Sequence, residues 1–304
     1  MVQPYFTLNT GAKIPAVGLG TFEAGDGDVY PAVMEALKVG YRHIDAAAIY
    51  RNEKSVGKAI RDSGVPREEL FVTTKLWCTQ HKEPEKALDQ SLERLGLDYV
   101  DLYLIHWPVA LKTTSIKDGN MLTVPLRDGA RDVDVDWNFV RTWELVQELP
   151  ATGKTKAVGV SNFSINHLKE LLASPGNKLT PAANQVEIHP LLPQQELIDF
   201  GKKHGIVTEA YSPLGHNGAP LLKNATVQEV AAKYNTGPAQ ILISWAVKRG
   251  YVVLPKSITP ARVKSNFELV DLSAEDVQKL LDIAKNEGEK RFINPDWSGF
   301  KVFD

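Results

Sequence analysis

The chain has 304 residues, 43% of them hydrophobic, a formal net charge of -2 and a single cysteine, Cys78. That length accommodates two ordinary domains or one α/β barrel, and a near-neutral charge with no polybasic run excludes broad attraction to nucleic acid or to an anionic membrane. One cysteine excludes an internal disulfide framework and fits a reducing compartment, with the thiol expected to be inert despite Lys75 and His81 nearby.

The opening run YFTLNTGAKIP places Asn-Thr-Gly between two short extended segments, which predicts a hairpin closing the bottom of the fold. Short apolar runs then alternate with segments of helical period. The strands read as 16–21, 41–46, 70–75, 99–106, 155–161, 182–188, 206–211 and 251–255. Helical segments between them include EKSVGKAIRDSG, PEKALDQSLERLG, WNFVRTWELVQELP, SINHLKELLAS and QQELIDFGKKHG, several closing on glycine as at Gly96 and Gly205.

Eight strand-helix units in unbroken alternation predict one (β/α)8 barrel domain over residues 1–304, of α/β class, with its active site at the C-terminal ends of the strands. Three additions to the minimal barrel stand out: a long loop at 108–136 after strand four, an extra helix TVQEVAAKYN, and a tail after the last helix, DVQKLLDIAKNEG. The N-terminus lacks a basic segment followed by an apolar one, and no window reaches the roughly 18 apolar residues of a membrane span, so the chain reads as soluble and cytoplasmic; a monomer is expected.

What the strands carry at their ends is the functional signal. Asp45 ends one apolar run with Tyr50 five residues on, Lys75 ends the next, and His106 the one after. A buried lysine is costly unless paired, so Lys75 is expected against Asp45 with its charge facing Tyr50. A nearby cation would draw the phenol down toward the working range of a general acid, and His106 could hold a carbonyl oxygen in line for the proton. Each residue alone has an ordinary structural explanation; four titratable groups of opposed chemistry on one rim make an acid-base site. Thr21, Ser161, Asn162, Gln185, Glu187, Tyr211, Ser212, Lys256 and Ser257 fall on the same rim.

Two other motifs carry no function. GLGTFE begins like a dinucleotide fingerprint but has Glu23 where the third glycine belongs. Glu187 with His189 lacks a third ligand, so no metal site is expected.

The motifs GYRHIDAAAIYRNE, FVTTKLW, DLYLIHWP, GKTKAVGVSNF, ANQVEIHP, EAYSPLG and VVLPKSITPAR resemble the aldo-keto reductases over the whole chain, and within them the branch of fungal NADP-dependent glycerol dehydrogenases and broad carbonyl reductases. The resemblance implies hydride transfer between a nicotinamide and a carbonyl carbon, with Tyr50 as proton donor, Lys75 and Asp45 tuning it and His106 orienting the carbonyl. It implies that Ser161, Asn162 and Gln185 hold the carboxamide, that Tyr211 stacks on the nicotinamide, and that Ser212 and Leu214 meet the pyrophosphate, with Thr21 also on the cofactor side. Lys256, Ser257, Thr259 and Arg262 would grip the 2'-phosphate of NADPH, and Asn266 would reach the adenine. The substrate pocket would be Phe22, Ile49, Trp77, Trp107, Asn294 and Trp297. Two departures bear on detail: Ser265 stands where many members have glutamate, and Phe22 where many have tryptophan.

The leading expectation is therefore an NADPH-dependent reductase of aldehydes and ketones such as glyceraldehyde or dihydroxyacetone, keto esters and aromatic aldehydes, able to run in reverse on polyols. A regulatory subunit of the same fold that binds NADPH without turnover is the alternative. A metal-dependent barrel hydrolase or isomerase fails for want of a carboxylate cluster.

Overall fold

The computed structural model describes residues 3–216 and 218–303. In chain order it runs β1 (Tyr5–Thr7), β2 (Lys13–Pro15), β3 (Leu19–Gly20), α1 (Asp26–Val39), β4 (His43–Asp45), α2 (Glu53–Asp62), β5 (Phe71–Leu76), α3 (Pro84–Leu95) and β6 (Val100–Ile105). The loop after β6 holds β7 (Val109–Leu111), β8 (Leu126–Arg127), β9 (Ala130–Arg131) and β10 (Val133–Asn138). Then come α4 (Phe139–Val146), β11 (Thr155–Ser161), α5 (Ile165–Ala173), β12 (Ala183–Glu187), α6 (Gln195–Lys203), β13 (Val207–Tyr211), α7 (Ala225–Lys233), α8 (Pro238–Lys248), β14 (Val252–Leu254), α9 (Pro260–Phe267) and α10 (Ala274–Glu287).

Eight of the strands form one parallel sheet in the order β14-β13-β12-β11-β6-β5-β4-β3. The sheet closes on itself: Val17 bridges Val253 in parallel, and the Gly18 and Gly20 N–H groups donate to the Val253 and Pro255 carbonyls at 2.9 and 3.0 Å. This is the expected (β/α)8 barrel, with every strand buried on both faces by side chains inside and helices outside. The strands at the seam are shorter than the sequence suggested, because the bridge at Val17 stands apart from the ladder of β3.

Three apolar groupings hold it together. The largest lies between the barrel wall and the helices, around Trp143, Trp245, Tyr103 and Leu88. The second fills the N-terminal end of the barrel, where Leu8 and Ile14 of the β1/β2 hairpin meet Phe71, Leu102 and Val252, so the hairpin is the bottom plug that its turn chemistry predicted. The third lies at the opposite rim and joins Trp77, Trp107 and Val109 to Trp297 and Val302 of the tail.

Local signals fix the helix ends. Gly96 takes φ 62° just after α3, a left-handed turn that costs a glycine little, and prolines open α3, α8 and α9 where no N–H is needed. The loop after β6 is more ordered than its length suggested: β7 pairs antiparallel with β10, and β8 with β9. The extra helix is α7. Among the described residues no helix is long and apolar enough to cross a membrane.

Candidate active site

The C-terminal rim of the barrel opens into a cavity of about 700 Å3. Asp45, the last residue of β4, and Lys75, next to last in β5, meet inside the wall: Lys75 Nζ donates to Asp45 Oδ1 at 2.6 Å and to the Ala46 carbonyl at 2.9 Å. Asp45 Oδ2 accepts from Gln185 Nε2 at 2.8 Å, a bond that crosses from β12, and Thr21 Oγ1 donates to the Asp45 carbonyl at 2.9 Å. The buried ion pair thus has satisfied polar atoms around it, as a charge removed from water requires.

Tyr50 lies in the turn after β4, with Lys75 Nζ 5.2 Å from its ring centroid and the His106 ring edge-on to it, the two centroids 5.7 Å apart. The expected effect of the lysine on the phenol is reversed. Burial, with the Asp45 carboxylate acting the same way, holds Tyr50 well above the ordinary tyrosine value. The reason is that Asp45 neutralises Lys75, leaving desolvation of a phenolate uncompensated. Burial, then Lys75 and His81, hold His106 well below the usual histidine value, so it is a neutral imidazole. Its Nδ1 is buried without a hydrogen-bond partner, which leaves Nε2 toward the cavity.

Across the cavity, Asn162 follows β11 in a left-handed conformation, φ 64°, and Ser212 follows β13 at φ 50°. Strain of this kind at two cavity-lining positions marks a built site. Asn162 Nδ2 donates to the His106 carbonyl at 2.9 Å, Tyr211 Oη donates to Asn162 Oδ1 at 2.7 Å, and Ser161 Oγ donates to the Gln185 carbonyl at 2.7 Å. At the far end lie Lys256 and Arg262, the latter in the first turn of α9. Lys256 Nζ reaches only the Glu23 carbonyl at 3.4 Å, and neither cation has a carboxylate within 4.0 Å among the described residues. Two unpaired cations beside a helix N-terminus whose N-cap position, Thr259, makes no side-chain capping bond, with Ser257 Oγ accepting from the Thr259 N–H, suit a phosphate dianion.

Of the residues singled out from sequence, Phe22, Asp45, Ile49, Tyr50, Trp77, His106, Trp107, Ser161, Asn162, Gln185, Tyr211, Ser212, Leu214, Lys256, Arg262 and Trp297 line the cavity, and Lys75 lies directly behind it. Thr21 is buried as a strut for Asp45. Ser257, Thr259 and buried Asn266 lie at or on α9, outside the lining. Asn294 is exposed; its neighbours Ile293 and Pro295 face the cavity instead. Burial pushes the Cys78 thiol up, so it is inert as expected.

Sequence reasoning passed over Arg131, which lines the cavity from the loop after β6, and Glu209, buried in the barrel beneath Asp45. A charge in the apolar run IVTEAY was the available signal for Glu209; nothing in its neighbours marked Arg131. Glu187 serves to anchor the start of the tail, accepting from His189 Nε2 at 2.8 Å and from the Phe292 and Ile293 N–H groups at 2.7 and 2.9 Å.

An eight-stranded barrel of TIM type carries a phenol, an imidazole and a buried ammonium-carboxylate pair at its mouth. The chain belongs to the aldo/keto reductase family, whose pattern it matches over residues 16–285. It is 66% identical to a glycerol 2-dehydrogenase (NADP(+)) of Saccharomyces cerevisiae, over 98% of this chain and 96% of the yeast protein. It is 59% identical to aldehyde reductase YPR1 of the same yeast, over 97% and 96%. Among solved structures, the aldose reductase of Schistosoma japonicum superposes with a TM-score of 0.86 at 34% identity, covering 95% of this chain and 94% of that one.

Proposed function

We propose that the chain reduces aldehydes and ketones to alcohols with NADPH, and oxidises small polyols in reverse. The observation that supports this best is the rim constellation: Tyr50 beside His106, with Lys75 and Asp45 paired beneath the phenol. Relatives named for NADP(+)-linked glycerol oxidation and for aldehyde reduction point the same way.

The bound cofactor supplies the hydride. His106, neutral, donates from Nε2 to the substrate carbonyl oxygen and fixes its position. Tyr50 keeps its proton at neutral pH and releases it only as the oxygen becomes an alkoxide, a far stronger base than phenolate. The phenolate left behind lies beside the Lys75–Asp45 pair, whose net charge is close to zero, and regains its proton from solvent. Lys256 and Arg262, aided by Ser257 and Thr259, would hold the 2'-phosphate. Ser161, Asn162 and Gln185 would orient the carboxamide, Tyr211 would cover the ring, Ser212 and Leu214 would meet the pyrophosphate, and Asn266 would contact the adenine. Phe22, Ile49, Trp77, Trp107 and Trp297 would form the walls for the substrate.

The test is NADPH consumption with glyceraldehyde by the wild type and Tyr50→Phe. Loss of the proton donor should lower kcat by ~100-fold or more with NADPH binding retained. Turnover unaffected by the change would sink the mechanism. Tight NADPH binding with no turnover of any carbonyl by the wild type would favour the regulatory alternative.

A further inference from the structure

The loop after β6 brings one more cation to the substrate end of the cavity. Arg131 ends β9, and its guanidinium carbon lies 4.3 Å from the centroid of Trp297, on the tail. The Ser298 hydroxyl donates to the Arg131 carbonyl at 2.7 Å, so loop and tail hold this arginine from both sides. Its backbone is tied down. Its guanidinium, by contrast, has no hydrogen-bond acceptor and no carboxylate within 4.0 Å among the described residues.

Three of the five acids on the same loop are taken by other cations, Asp132 by Arg127 at 3.1 Å, Asp134 by Lys82 at 2.7 Å and Asp136 by Lys112 at 3.5 Å, and neither Asp118 nor Asp128 lies within 4.0 Å of the Arg131 guanidinium. A loop that pairs three of its carboxylates with other cations leaves the arginine that lines the cavity with only an aromatic face. Stacking on Trp297 orients the planar fork while leaving its N–H edge available, and that edge matches a carboxylate in bidentate geometry. Lys256 and Arg262 line the same cavity from beside α9, on a different element from the arginine that stacks on Trp297.

We infer that Arg131 is an anion-recognition residue for the substrate, and that the site takes carbonyl compounds bearing a carboxylate remote from the reacting carbon. The inference rests on the reductase reading above and narrows its substrate class.

The test compares kcat/KM with NADPH for acids and their methyl esters, succinic semialdehyde and para-carboxybenzaldehyde each being paired with its ester, in wild type, Arg131→Met and Arg131→Lys. In the wild type at least one acid should exceed its ester. Arg131→Met should cut that acid-to-ester ratio roughly tenfold or more, and Arg131→Lys should restore part of it. A wild type that prefers every ester, or a preference that survives in Arg131→Met, overturns the inference and leaves Arg131 as a support for Trp297. Failure of the reductase reading looks different: neither acid nor ester would be turned over by the wild type.

Discussion

Lys75 Nζ lies 2.6 Å from Asp45 Oδ1, with the lysine closed off from water and the aspartate nearly so. Removing either partner alone strands a charge in the barrel wall, at a cost of about 3–5 kcal/mol. Removing both leaves nothing to desolvate. A double-mutant cycle of Lys75→Met, Asp45→Asn and the pair, read by urea unfolding, should therefore show the double variant losing less than the sum of the singles. Strict additivity would mean the two charges do not support each other.

Glu209 gives the stability a pH dependence of its own. It is wholly buried with both carboxylate oxygens unpartnered, 4.0 Å from the His43 imidazole, and burial, then Asp45, push it up to about 8. The unfolded chain releases this proton near about pH 4.3. Between those values the folded state binds the extra proton, so Glu209 contributes less and less to stability as pH rises toward 8, by at most about 1.4 kcal/mol per pH unit. His43, held down to about 4 by burial, works in the opposite sense below about pH 6.5. Above about pH 6.5 that imidazole is largely neutral in both the folded and the unfolded chain and adds little slope. Glu209→Gln should gain roughly 1–3 kcal/mol relative to wild type between about pH 6 and pH 8, read from urea midpoints. A constant difference across that range would show that Glu209 ionises normally.

The cations beside α9 predict cofactor choice. Lys256→Ala and Arg262→Ala should each raise the KM for NADPH by roughly 10-fold or more, the worth of a charge-assisted hydrogen bond, and leave the KM for NADH nearly unchanged. Equal losses with both cofactors would assign these residues to the common part of the dinucleotide.

Glu187 makes the tail a testable part of the pocket. In Glu187→Gln an amide replaces one of the oxygens that receive His189 and the N–H groups of Phe292 and Ile293. One buried donor then faces another, at about 1–3 kcal/mol. The expected result is faster proteolytic nicking after α10 and a raised KM for carbonyl substrates, with NADPH affinity kept. Unaltered nicking and KM would show that the tail is held by its aromatic contacts alone.

Much of the fold is legible in the sequence because burial imposes its pattern locally. The eight barrel strands are largely apolar on both faces, so their runs stand out, and a single titratable residue ending such a run, as Asp45, Lys75 and His106 do, points to the rim. The hidden part depends on partners distant in sequence. The bond from Gln185 to Asp45 joins residues 140 apart. The family resemblance implies Asn294 as a pocket residue, but Glu187 fixes the backbone before it, and Ile293 and Pro295 line the cavity while Asn294 is exposed. The protonation of Tyr50 comes out opposite to the expectation because pairing Lys75 with Asp45 cancels the charge that was to act on the phenol. The helix α9 lies concealed within a motif that reads only as phosphate contacts, and α1 begins in a polar, glycine-rich stretch that interrupts the apolar pattern.

The bridge between Val17 and Val253 carries a consequence for how the molecule comes to life. Residues from nearly opposite ends of the chain must meet before the ring exists, and contacts of such long sequence separation form slowly. Helices can form early without them. Asp45 sits one strand from the seam on one side, and Lys256 and Arg262 come just after the seam strand on the other, so the mouth of the barrel has no finished geometry until that gap is shut. In a refolding experiment, recovered enzyme activity would therefore time the meeting of the two ends, well after the circular dichroism of the helices has returned.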